Sequence, residues 1–409
     1  MENLLTKRNV IIAVVVTVII IGALVWFGLK NGAEEGGGFL GLFPSGSETP
    51  PSGEKPGFES TKKTGFKEED GIGELPLTPE AAQNLPIGTL IRLNDANIVS
   101  LVPVGTTSVK YHKNIPENLG HLFQRRADGS NEETRIANFT IPQILRVVWA
   151  PDAKRAVIFY NLESQVRKLL IDYSAATPKT NFLPDAVADV AFSPDSKSIA
   201  FINDLSETQN IFVASSDFRN QRKILDNNVP GFEISWISQN TLALKTKSSY
   251  AVRGFLYMLD INTGALVKIA EGLGLDAVWN SDGSGALYSS ATPDGNMLNL
   301  KFADTKTGEI KDLGIKTIAE KCAFLKTLKN VAYCGTPRAE SRDGLPDAWW
   351  QGKISFQDDF MAIDTTIAET LFFVQTPLDI TNPKSLANDS YLLFRDKFSG
   401  NLWSLKLKQ

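Results

Sequence analysis

The 409-residue chain is poor in the residues that carry out most enzymatic chemistry, with two histidines and two cysteines in all. His112 and His121 stand nine residues apart, in neither the H-x-x-x-H nor the H-E-x-x-H spacing that turns two imidazoles toward one zinc ion. Both are expected in a loop or at the surface, and no metal site is expected. No G-x-S-x-G elbow occurs, which argues against a serine hydrolase. Asp282-Gly283-Ser284-Gly285 lacks the alternating acids of a calcium loop. Surplus charge is missing as well: beyond residue 80 the chain holds 35 basic and 35 acidic side chains. Displacing counterions from phosphate takes a surplus of Lys and Arg, so nucleic acid is not an expected partner. No catalytic residue and no cofactor is assigned, and the chain is not expected to be an enzyme.

What is present begins with a run of twenty uncharged residues, Val10 to Leu29. At about 1.5 Å per residue it spans roughly 30 Å, the thickness of the hydrocarbon layer. Its β-branched residues are poor helix formers in water, but lipid offers the backbone no other partner and enforces a helix. Lys7 and Arg8 precede the run, whereas Glu34 and Glu35 follow soon after it. The positive-inside bias therefore puts residues 1–9 in the cytoplasm and everything beyond the span outside the cell membrane. A cleaved signal peptide is the competing reading; the run is long for one and shows no clear A-x-A site, so an uncleaved signal anchor is expected. Residues 31–80 contain eleven Gly, six Pro and ten acids. Such a stretch buries too little apolar area to offset chain entropy, so residues 30–84 read as a flexible linker between the transmembrane helix at 10–29 and a domain at 85–409.

That domain is built from short apolar alternations separated by turn clusters, the pattern of an all-β protein. Four segments superimpose: VVWAPDAKRAVIFY from Val147, VAFSPDSKSIAFIN from Val190, AVWNSDGSGALYSS from Ala277 and CAFLKTLKNVAYCG from Cys322. A fifth, from Ile234, has a shorter turn. Each reads as a hairpin whose first strand closes on an aromatic residue. These markers, Trp149, Phe192, Trp236, Trp279 and Phe324, recur at steps of 43, 44, 43 and 45 residues. The residue two places earlier shares a strand face with its marker, and the pair is expected to pack against the neighbouring sheet. Phe255–Asp260 and Leu300–Asp304 read as third strands, each leading through Thr-Gly into a fourth.

A period of about 40–45 residues with several strands per unit marks a β-propeller. The hairpins at Phe192-Ser193-Pro194-Asp195 and Trp279-Asn280-Ser281-Asp282-Gly283 resemble the TolB-like, WD-type repeats of bacterial propellers. The resemblance covers residues 85–409 as repeats and implies a fold, not an activity. Its departures are the Ile234 and Cys322 units, which lack Pro-Asp, and a last unit near 370–409 with no marker aromatic. Seven blades are expected, six or eight being the alternatives. Asn401–Leu407 reads as a third strand with no fourth after it, and Gly88–Leu93 is expected to supply the fourth and close the ring.

Cys322 and Cys334 lie symmetrically about Leu328 and so stand opposite each other in a hairpin. Two readings stay open: a disulfide, which opposed strand residues are close enough to form, or two buried thiols acting as small apolar groups. The insertion after Cys334 is expected between the third and fourth strands of the sixth blade. It carries Asp347, Trp349 and Trp350, the candidate binding residues, with the plainer alternative that both tryptophans fold the loop back onto the ring. The expected protein is a single-pass membrane protein whose extracytoplasmic propeller binds a protein, peptide or glycan partner at the cell envelope. An enzyme acting on envelope polymers at the channel mouth and a structural surface spacer are the alternatives.

Overall fold

A computed structural model describes residues 76–408, save 205–207, 228–230, 294–297 and 340–343. The expected cytoplasmic residues 1–9, the span at 10–29 and the linker as far as residue 75 lie outside the described residues. Among these, no helix is long and apolar enough to cross a membrane.

The described chain forms antiparallel sheets, five of four strands and one of seven. In the larger sheet a single strand, Leu266–Trp279, pairs with Arg253–Asp260 along its first half and with Gly285–Ala291 along its second. It thus ends one four-stranded unit and begins the next, which gives seven units in all. Their first strands are Ile98–Val104, Ile144–Trp149, Val187–Phe192, Phe232–Ser238, the second half of Leu266–Trp279, Cys322–Phe324 and Ile380–Ser385.

The marker pairs do what their spacing requires. Val190 and Phe192 of the third unit pack with Val157 and Phe159 of the second. Ile234 and Trp236 pack with Ile202 and Ile211 of the third, and Cys322 and Phe324 with Leu287, Leu300 and Phe302 of the fifth. Each unit covers the face of the one before it, so apolar area is buried between sheets all along the series. The turns between third and fourth strands share one chemistry. Asp260 Oδ1 accepts from the backbone N–H of Asn262 and Thr263, while Gly264, at φ 73°, donates to Asp260 O. Asp304 and Gly308 repeat the arrangement.

Leu90–Arg92 pairs antiparallel with Leu402–Lys406, Leu90 opposite Leu405, so the last unit is completed by the strand nearest the start of the described chain. The chain is already folded somewhat before residue 85. Pro79–Asn84 is a short helix capped by Thr78, Ala82 is buried, and Gln83 O accepts from Lys406 Nζ at 2.9 Å. The last residues of the expected linker are therefore docked on the domain. The insertion is also placed differently from expectation. Val331–Pro337 pairs with Cys322–Phe324 on one side and Asp358–Asp364 on the other, so the inserted loop joins second and third strands.

Candidate functional site: the axial channel and its mouth

The first strands of all seven units line two adjoining cavities. One, of about 610 Å³, is bounded by units one to four and by Asn382, Lys384 and Arg395 of the seventh. The other, of about 710 Å³, opens between the hairpin turns and is walled by Trp149, Pro151, Trp279, Phe324 and Pro383. Trp149 and Lys384 border both and so mark where the two meet.

Lys384 occupies a revealing place in the repeat. Pairing puts Phe192 opposite Ile199 and Ser385 opposite Leu392, so Ser385 holds the marker's position in the seventh unit. Ser385 is buried and donates to Asp389 Oδ1 at 2.6 Å. The preceding position, on the other sheet face, holds Val148, Ala191, Ser235, Val278 and Ala323 in units two to six, and lysine in the seventh. Just before it the strand is irregular, with Asn382 at φ 50° followed by Pro383. Lys384 is exposed, on the wall that the two cavities share. Burial, with Lys326 adding like-charge repulsion, pulls its pKa down to about 8.

At the opposite end of the channel, charges are numerous but committed. Asp189 binds Arg146 at 2.5 Å and accepts from the Ile234 N–H of the next unit at 2.9 Å. Asp276 binds Lys245 and accepts from Glu320 N–H, again one unit on. Asp358 binds Lys321 and accepts from Ile380 N–H. Each carboxylate joins its unit to the following one, as a structural tie needs and a general acid or base does not. Burial raises Asp189 and Glu320 above the usual carboxylate range and lifts Asp358 to about 6.

The residues singled out in the sequence fall into this frame with corrections. Asp347–Trp350 is one turn of helix, so its adjacent side chains lie about 100° apart instead of on opposite faces. Trp349 is fully buried: its indole N–H donates to both oxygens of Asp379, and the Lys321 and Lys397 ammonium groups each sit 4.9 Å from its ring. It offers no surface to a partner. Trp350 is half-buried and donates to Glu320 Oε2 at 3.0 Å, while Asp347 Oδ2 accepts from Tyr250 N–H at 2.6 Å. The loop is folded onto the ring. His112 is neither in a loop nor at the surface. It lies fully buried in Ser108–Lys113, between Ser100 Oγ at 2.8 Å and the Tyr173 hydroxyl at 3.2 Å, with its ring against Trp149. His121 is half-buried. Cys322 and Cys334 are opposed in register, buried and joined as a disulfide.

No protein-family model and no curated protein matches the sequence. Solved structures do. An oligogalacturonate lyase, solved in complex with manganese, is 11% identical at TM-score 0.57, over 79% of this chain and 94% of that one. A prolyl endopeptidase is 11% identical at TM-score 0.51, over 74% and 47%. TolB from Acinetobacter baumannii is 14% identical over 77% and 65%, at a TM-score of 0.43. The fold is that of a β-propeller. At these identities the likeness extends no further than fold. Among the described residues, no three His, Cys, Asp or Glu side chains converge as a metal site would need.

Proposed function

We propose that the protein is a membrane-tethered, extracytoplasmic propeller of seven blades that binds a protein, peptide or glycan partner of the cell envelope at its axial mouth. The observation that carries the reading is the mouth itself. Its cavity of about 710 Å³ is walled by tryptophan, phenylalanine and proline, within the range of roughly 300–1,000 Å³ usual for binding sites. The acids at the far end are meanwhile tied into the frame. The tether and the outside location are supported by the uncharged run at 10–29 after Lys7 and Arg8. The Cys322–Cys334 bond, which persists in oxidising compartments, supports them further.

Site-specific photocrosslinking in living cells tests it. A benzophenone side chain at exposed Pro151, on the mouth, should yield one discrete product, weakened by Trp279→Ala. The same group at exposed Phe182, on an outer strand, should yield none. No product from Pro151, or the same products from both positions, overturns the reading.

A further inference from the structure

The mouth holds two ammonium groups, brought to it by different units. Lys384 comes from the first strand of the seventh unit, Lys326 from the hairpin turn of the sixth, and both line the same cavity. Neither side chain has a hydrogen bond or ion pair among the described residues. They are near enough for Lys326 to depress the pKa of Lys384.

Asp389 lies near enough to Lys326 to offset part of its charge, but pairs with neither ammonium. Asp389 accepts from the N–H groups of Lys326 and Thr327, each at 2.7 Å, and from the hydroxyls of Thr327 and Ser385. Its carboxylate is thus used to hold the sixth unit's turn against the seventh, which fixes where Lys326 stands. Asp152 is the one acid among the residues lining this cavity, and its Oδ1 accepts from Lys154 N–H. The remaining charges lining the channel near Lys384 are cationic: Arg395 from its own unit and Arg146, already paired with Asp189.

Two like charges on one cavity wall repel each other unless an anion completes the set. Five other units place Val, Ala or Ser at the register position of Lys384, so the fold does not require a cation there. A residue placed where the repeat does not call for it is a candidate for function.

We propose that Lys326 and Lys384 form an oxyanion subsite at the channel mouth, which takes a carboxylate or phosphate group whose apolar body rests on Trp149 and Trp279. The inference rests on the mouth being the binding surface and specifies the chemistry that surface selects. The ammoniums supply charge-assisted hydrogen bonds and the indoles supply stacking area.

Calorimetric titration of the full-length protein tests it with three probes: inorganic phosphate as the bare oxyanion, N-acetylphenylalanine as an oxyanion with an apolar body, and the neutral amide of the latter. Both anions should bind, N-acetylphenylalanine more tightly, and the amide should not. Lys384→Met and Lys326→Gln should each weaken binding by about tenfold or more. Lys329→Gln, outside the cavity, should leave it unchanged. Because the subsite needs Lys384 protonated, affinity should fall as pH rises through about 8. Unchanged affinity in both variants, with melting temperatures retained, overturns the subsite, as does failure of the wild type to bind either anion. If neither anion binds but the Pro151 crosslink persists, the subsite falls and the mouth remains a binding surface. If the anions bind with the stated lysine dependence but no crosslink forms, the subsite stands and the macromolecular partner falls.

Discussion

His112 and Asp358 are two buried groups whose titrations pull stability in opposite directions. Burial lowers the pKa of His112 from 6.5 to about 3, so the unfolded chain takes up a proton that the folded ring refuses. Stability from this residue is present above about pH 6.5 and is lost as pH falls toward about 3. Asp358 is the reverse. Its folded pKa is raised to about 6, mainly by burial and against the pull of Lys321. Its contribution is full below the unfolded value of about 3.9 and lost as pH rises through about 6. The two offset each other between about pH 4 and 6, and below about 4 the histidine's loss adds to that of carboxylates held low in the fold, such as Asp282 at about 2. Denaturation at a series of pH values should show a nearly flat profile followed by a steep acid loss. His112→Gln should lessen the acid loss, and Asp358→Asn should make the decline begin near pH 6; parallel profiles in wild type and both variants would contradict the assignment. The sequence hid these residues because burial of a charge depends on distant partners. Lys321 meets carboxylates 37 and 58 positions away, and His112 meets a hydroxyl 61 away. The opposition of the two cysteines was legible because both lie in one hairpin, whereas the choice between a bond and two thiols was not.

Individual strands and turns were legible where a repeat displayed its marker and illegible where another residue served the same purpose. The seventh unit carries Ser385, held by Asp389, in place of an aromatic, so its register could be assigned only from pairing. The insertion misled because one helical turn is too short to show a period. It is held by close contact: a side chain at Gly274, where φ is 55°, would place its Cβ 2.6 Å from Pro346. The sixth unit's first hairpin has short pairing, three residues against three, and is fastened covalently. Breaking that bond restores entropy to the unfolded chain, an effect of about 3 kcal/mol for a loop of this size. Native protein should add no alkyl groups before reduction and two after it, and the reduced, alkylated form should melt at a lower temperature. Free thiols before reduction, or no change in melting, would count against the fastening.

At the scale of the whole molecule, the ring was legible from a single number, the 43–45 residue step between markers. Closure followed from the need to leave no unpaired edge, and the pairing of Leu90–Arg92 with Leu402–Lys406 meets that need. What the mouth presents was not legible, because its walls come from five units and no local pattern gathers them. Removing residues 76–93 should strip the partner from Leu402–Lys406 and uncover Trp403 and Leu405, both buried in the intact domain. The shortened protein should melt earlier and associate increasingly with concentration in size-exclusion chromatography, whereas a monomer of unchanged stability would show that the clasp is dispensable. The same clasp sets a timetable. Leu405 leaves the ribosome long after Leu90, so at roughly 5–20 residues per second the first strand waits tens of seconds for its mate. The six units between them have that delay in which to assemble in chain order, and the ring becomes a ring only once Leu405 arrives.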